Sequence, residues 1–251
     1  MIFGMNVVKE QLRRVLGKRG YELRKKPTDF GENFMKIHER IGAFTMTSIE
    51  RQFALYQAVN YISTAGIEGD VVECGVWRGG STMLCALTLA AAKDTGRTLY
   101  LYDTFAGMSE PTKEDVNLRG FAAVTKWRLL AKDSHNAWDY APLGEVQTNL
   151  RSTEYPEDRC VFVAGKVEDT IPATKPAKIA LLRLDTDWYE STKHELEHLF
   201  PLLVPGGVLI IDDYGHWQGA RQAVDEYFAS RRIPILLNRI DYTGRLAVKV
   251  A

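Results

Sequence analysis

Four apolar runs of this chain carry an acid at or just beyond their last residues, and no other feature constrains the fold as much. Asp70-Val-Val-Glu-Cys74 carries Glu73, and Thr98-Leu-Tyr-Leu-Tyr102 runs into Asp103. Lys178-Ile-Ala-Leu-Leu-Arg-Leu184 runs into Asp185, and Val208-Leu-Ile-Ile211 into Asp212-Asp213. Each run is short and rich in aliphatic residues, so each reads as a buried strand. Cys160-Val-Phe-Val-Ala164 is a further strand of the same kind. Helical segments fall between them. A Thr47 or Ser48 cap with Glu50 opens one that reaches about residue 63, and 82–92, 189–203 and 219–229 are the others. Strand and helix alternate, which predicts an α/β domain with a mainly parallel, doubly wound sheet. The last two strands, 233–240 and 245–250, have only the turn Tyr242-Thr-Gly244 between them, so they pair antiparallel.

In open sheets of this class, ligands sit beyond the carboxyl ends of the strands, where the strand order reverses. The four acid-ended strands should therefore converge on one crevice. A glycine-rich turn, Gly75-Val-Trp-Arg-Gly79-Gly80-Ser81, follows the first strand. It lets a ligand approach the backbone and aims a helix N-terminus at it. It is not the G-x-G-x-x-G fingerprint. An acid at the end of the second strand, Asp103, can grip the two hydroxyls of a ribose. Together these features describe a nucleoside-containing cofactor. Asp185, Asp212 and Asp213 need another account, because three carboxylates in one crevice repel and burial adds to the cost. A hard divalent cation such as Mg²⁺ removes that cost. No obvious cluster of basic residues offsets them, which favours the cation; the alternative is that one or two of them cap helices or pair with a basic residue such as Arg183.

Length and composition bound the rest. The 251 residues suit one large domain or two small ones. Lys plus Arg and Asp plus Glu are 32 each, so a balanced chain has no general pull toward nucleic acid or an anionic membrane. Three cysteines without a C-x-x-C pair suit a reducing compartment. No apolar run is long enough to span a bilayer and no signal-peptide core opens the chain, so a cytoplasmic location is expected. Eight basic residues stand against two acids between positions 9 and 26, where Val8, Leu12, Val15 and Leu16 share a helical face. This basic stretch reads either as a foot for weak contact with a membrane surface, partner or phosphorylated substrate, or as a solvated leader. The division expected is an arm over 1–45 and a domain over 46–251, with a polar insertion at about 106–159 acting as a lid.

Two motifs compete with this reading. His194-Glu-Leu-Glu-His198 matches the H-E-x-x-H zinc pattern, but the apolar face of that helix is opposite, so both histidines should meet water. Tyr189 and Lys193 match the Tyr/Lys pair of short-chain dehydrogenases, without that family's partner serine. His216 and Trp217 follow the aspartate pair and are placed to wall a substrate site.

Four stretches carry a resemblance. They are Val71-Val-Glu-Cys-Gly-Val-Trp-Arg-Gly-Gly-Ser81, Leu101-Tyr-Asp-Thr-Phe-Ala-Gly-Met108, Leu184-Asp-Thr-Asp-Trp-Tyr-Glu-Ser-Thr192 and Pro205-Gly-Gly-Val-Leu-Ile-Ile-Asp-Asp-Tyr-Gly215. With Thr45-Met-Thr-Ser-Ile-Glu-Arg51 they resemble the macrocin O-methyltransferase family, from about residue 46 onward. That resemblance implies a Rossmann-like class I methyltransferase that uses S-adenosylmethionine and Mg²⁺ on sugar hydroxyls of macrolides and aminocoumarins. It implies cofactor contacts at Met46, Thr47, Glu73, Gly75, Ser81, Asp103, Thr104 and Phe105, with Gly165, Val167 and Glu168 beside the adenine. It implies Mg²⁺ on Asp185, Asp212 and Asp213, with Asp185 also the base. The acceptor would be a small glycoside with neighbouring hydroxyls, and a homo-oligomer is expected. An NAD(P)-dependent oxidoreductase and a non-catalytic binding module are the rival functions.

Overall fold

The computed structural model describes residues 12, 14–18 and 29–250. The chain divides into two compact units, 1–32 and 33–251. In the first, Leu12 and residues 14–17 are helical, as the apolar period predicts. The rest of the basic stretch, with Val8 and Arg13, lies outside the described residues.

The second unit holds a seven-stranded sheet. Its strands are β1 (Asp70–Cys74), β2 (Leu99–Asp103), β3 (Cys160–Ala164), β4 (Ile179–Leu184), β5 (Leu203–Ile211), β6 (Asn238–Arg239) and β7 (Arg245–Val248). Their order is β3-β2-β1-β4-β5-β7-β6. The first five are parallel, and β7 runs antiparallel to both β5 and β6. The helices are α1 (Glu32–Ile41), α2 (Ile49–Thr64), α3 (Gly80–Ala91), α4 (Ala123–Leu130), α5 (Leu143–Arg151), α6 (Val167–Thr170), α7 (Tyr189–Leu199) and α8 (Gln218–Ser230). Strand order reverses between β1 and β4, which pair directly, Glu73 opposite Arg183. All six residues of β4 are buried, the pattern of a parallel strand covered on both faces. Ser48 caps α2 by accepting from the Arg51 amide at 3.1 Å.

The elements differ from the sequence reading in places that have physical causes. The strand expected at 208–211 begins at Leu203, because the Gly206 amide donates to the Lys249 carbonyl and the Lys249 amide to Gly207. The helix expected to reach 203 ends at Leu199, where Pro201 tightens the chain into a short turn. The strand expected over 233–240 is only Asn238–Arg239. Pro234 has no amide to donate, and Ile233, Ile235 and Leu237 pack on the core instead. The boundary drawn at residue 45 moves to 32/33, since Phe34 of α1 is buried with its ring 5.0 Å from Phe53 and 5.4 Å from Tyr56 of α2.

The insertion contains two of the helices, α4 and α5. It also has a buried inner side, with Trp138, Val146, Leu150 and Tyr155 in the core. Asp115, fully buried, ties it down by accepting from the Tyr189 amide at 2.8 Å and the Thr112 amide at 2.7 Å. Leu118, Phe121 and Leu129 point outward.

Candidate active site

One cleft opens beyond the carboxyl ends of β1, β2, β4 and β5. Met46, Thr47, Glu73, Gly75, Ser81, Asp103, Thr104, Gly165, Val167, Glu168, Asp185, Asp212 and Asp213 all line it. Phe105, expected among them, does not. It is buried, with its ring 6.5 Å from that of Phe162.

On the β1–β2 side, the glycine turn is built by protein, not only for a ligand. Gly75 has φ +81°, and a Cβ there would stand 2.0 Å from the Asp185 carbonyl oxygen. A Cβ on Gly80 would stand 2.5 Å from the Phe44 carbonyl oxygen, which accepts the Gly80 amide. Asp103 holds this turn. Its Oδ2 accepts from the amides of Val76 (2.7 Å) and Trp77 (3.0 Å), and its Oδ1 from that of Phe105 (2.8 Å). Burial pushes its pKa up, against those three donors. Glu73 is buried and accepts from Arg183 at 2.8 Å and from the Thr82 hydroxyl. Burial also pushes its pKa up, and Arg183 pulls it back. Glu168 keeps one carboxylate oxygen, Oε2, shielded from solvent without a protein partner. A buried acceptor of that kind calls for a donor from whatever fills the cleft.

On the β4–β5 side the charges are denser. Asp185, Asp212 and Asp213 each place a carboxylate oxygen within 4.8 Å of the other two. They are not without cations, as the sequence had suggested. Arg183, the partner named as the alternative, donates to Asp185 and to Asp212, both at 2.7 Å, as well as to Glu73. Arg51 pairs with Asp212 and reaches Asp241 at 3.0 Å. Burial, then the neighbouring acids, push the carboxyls of Asp185 and Asp213 well above their ordinary range. Asp187 adds a further acid: its φ is +68°, its amide donates to Asp213 at 3.1 Å, and its Oδ1 accepts from Trp217 Nε1 at 2.5 Å. Its pKa is also raised well above the usual range, by burial first and Asp185 next. The donor set, all hard oxygen and under-compensated, fits a divalent cation. Among the described residues no other group of acids, cysteines and histidines has ligand spacing.

His216 lines the same side, its Nδ1 3.4 Å from the Tyr242 hydroxyl. Burial, with Arg51, Arg119 and Lys126 nearby, lowers its pKa and favours the neutral imidazole. Arg51, Asp187 and Asp139 were missed as cleft residues by the sequence reading. Arg51 sits in a quoted motif but reaches its partners across 161 and 190 positions, a pairing that no local pattern shows.

The competing motifs lie off the cleft. The Tyr189 hydroxyl donates to Glu226 at 2.7 Å, and Tyr189 and Lys193 are not in the lining. The His194 and His198 rings lie 4.2 Å apart, tilted by 44°, and are half-buried, not simply in water, since His194 Nε2 is shielded with no partner.

The macrocin-O-methyltransferase (TylF) family profile matches residues 8–248. The chain belongs to that family. Similar curated members include the 8-demethyl-8-(2,3-dimethoxy-alpha-L-rhamnosyl)-tetracenomycin-C 4'-O-methyltransferase of Streptomyces olivaceus, 37% identical over 80% of this chain and 74% of that one. The demethyldecarbamoylnovobiocin O-methyltransferase of Streptomyces niveus is 35% identical over the same shares. Among solved structures, the O-methyltransferase NovP is similar with TM-score 0.71 and 32% identity, covering 83% of each chain. This macrocin-family protein is therefore an O-methyltransferase, and its fold is that of the class I enzymes.

Proposed function

We propose that this enzyme moves the methyl group of S-adenosylmethionine to a sugar hydroxyl of a glycosylated natural product, in antibiotic-type biosynthesis, with Mg²⁺ in the site. The observation that carries the reading is the meeting, in one cleft, of a glycine turn anchored by Asp103 and a three-carboxylate cluster on the β4 and β5 ends. The sugar-modifying curated relatives support the acceptor class.

In this reading Met46, Thr47, Glu73, Gly75, Ser81, Thr104, Gly165, Val167 and Glu168 surround the cofactor, with the adenine near Glu168. Asp103 faces the ribose, while its backbone bonds keep the turn in shape. Asp185, Asp212 and Asp213 would hold Mg²⁺, which would supply Lewis acidity toward the acceptor. The chain's own work is orientation and proton handling. The acceptor oxygen attacks the sulfonium methyl in line, the C–S bond breaks, and S-adenosylhomocysteine leaves. The hydroxyl proton passes to a carboxylate, which we assign to Asp185. Asp187 is a second candidate, because it lines the same cleft, half-buried, with a raised pKa. The insertion at 106–159 contributes Gly107, Met108, Ser109 and Asp139 to the wall, and we assign it as the acceptor-side cover.

The test is transfer from labelled S-adenosylmethionine to a panel of glycosides with vicinal hydroxyls, with and without EDTA. The reading requires turnover that EDTA abolishes and Mg²⁺ restores. Full turnover in EDTA sinks the metal assignment. Thermal stabilisation by NADPH and not by S-adenosylmethionine favours the oxidoreductase.

A further inference from the structure

Glu195 of the H-E-x-x-H stretch is not part of the cleft lining, yet it is fully buried. Its Oε1 accepts from the Thr186 hydroxyl at 2.9 Å, and its Oε2 is shielded without a partner of good geometry, with the buried Cys74 thiol beside the carboxyl. No ion pair includes it among the described residues. Such a carboxyl is costly unless it does something. A leucine at that place on the apolar face of α7 would bury more simply.

Thr186 sits between Asp185 and Asp187, and lines the cleft. The turn it belongs to is unusual. Asp187 has a left-handed backbone, and the Trp188 amide folds back onto the Thr186 carbonyl at 2.8 Å. A β-carbon in that conformation is strained, and persists only where the surroundings hold it. From above, the Asp187 amide is held by Asp213. From below, the Thr186 hydroxyl is the polar handle by which α7 grips the turn.

We propose that Glu195 is a positioning residue: from α7 it clamps Thr186, and so fixes the turn that presents Asp185 and Asp187. Its role as a fold element stands without the metal reading, and its effect on catalysis rests on that reading. Glutamate suits the task because it reaches from the helix to the turn and accepts from the hydroxyl. Glutamine keeps the same length and the accepting oxygen, and leucine keeps the volume without it.

The experiment compares full-length Glu195→Leu, Glu195→Gln, Thr186→Val and the Glu195→Leu/Thr186→Val double variant. Hydrogen exchange at the Asp187 and Trp188 amides is the first readout. Mn²⁺ binding followed by EPR and S-adenosylhomocysteine binding by calorimetry are the others. Losing one buried hydrogen bond should speed exchange of the two amides and weaken Mn²⁺ binding by about tenfold in Glu195→Leu. S-adenosylhomocysteine affinity should not change. Glu195→Gln should restore both losses. In exchange of the two turn amides Thr186→Val should match Glu195→Leu, and the double variant should be no worse than either, since the same Thr186–Glu195 bond is lost in all three. Wild-type exchange in folded Glu195→Leu overturns the clamp. So does a Gln variant as poor as Leu, or additive single effects. If Glu195→Leu does not fold, Thr186→Val and Glu195→Gln decide by the same criteria. If the wild-type protein binds no Mn²⁺ but the amides respond as stated, the metal reading fails and the clamp stands.

Discussion

The two sides of the cleft solve the problem of buried charge in opposite ways. Asp103, on the β2 side, has both carboxylate oxygens engaged by three backbone amides. Asp185 and Asp213, on the β4–β5 side, sit among further acids: Arg183 pairs with Asp185, Arg51 with the neighbouring Asp212, and Asp213 has no ion pair among the described residues. Asp103 is satisfied by the protein alone. In the reading proposed above, the acidic side is completed by a cation. The side proposed to hold the cofactor is thus pre-organised around Asp103, and the acidic side is the one whose stability should respond to an added cation.

Four changes break or sharpen that contrast. The largest effect should come from Asp185→Asn, which removes a ligand charge and the assigned base together. Turnover should fall by about 10²–10⁴-fold at saturating Mg²⁺, the usual range for a lost general base. S-adenosylhomocysteine affinity, measured by calorimetry, should stay as it was. Loss of cofactor binding in this variant would mean that the two sides are not independent. A parallel pH–rate profile of Asp187→Asn assigns the base between the two.

Next comes Arg183→Met, which leaves Glu73, Asp185 and Asp212 without their shared cation. Removing one partner from a buried ion-pair network typically costs about 3–5 kcal/mol. A fall in denaturant midpoint at unchanged slope would report it. Added Mg²⁺ should recover part of the loss, and no recovery would argue that the acids are balanced without metal.

Asp103→Ala should weaken S-adenosylmethionine binding by about 1–3 kcal/mol and loosen the 75–81 turn. Calorimetry shows the first and amide exchange the second. Unchanged affinity would remove Asp103 from the cofactor site.

The smallest effect is the pH dependence of the metal-free protein. Asp185, Asp187 and Asp213 have folded pKa values above their unfolded ones. Their contribution to stability is present in acid, below the unfolded value, and is lost as pH rises through the folded value. Without divalent ions, the melting temperature should therefore rise from neutral toward mildly acidic pH. Mg²⁺ should stabilise most at the neutral end. A flat response to both would mean that the arginines already balance the cluster.

How much of this was legible in the sequence follows the range of the interactions. β1, β3 and the acid at each strand end were readable, because a short apolar run and its terminus are local facts. The seven-residue glycine turn was readable too, but not its cause. Gly75 answers to Asp185, which is 110 residues away. Arg51 on Asp212 and Glu195 on Thr186 were not readable as pairs. The first joins distant segments, and the second lies within a motif whose spacing suggests zinc. Phe105 was misplaced because a residue next to a site acid can turn inward, as its own positive φ of 50° allows here.

The pairing of β1 with β4 has a consequence in time. Asp103 and Asp185 are 82 positions apart in the sequence. At about 5–20 residues per second, a ribosome needs roughly 4–16 s to pass from one to the other. During that interval the insertion and β3 are made, but β1 keeps an open edge where β4 will dock. Val71, Val72 and Cys74, buried in the finished sheet, are then on the margin of a growing one. An unpaired parallel edge of aliphatic residues is a template for the wrong partner. The same strand order that creates the cleft thus sets the interval in which a crowded cell can spoil it, and a slower codon after residue 103 would lengthen it.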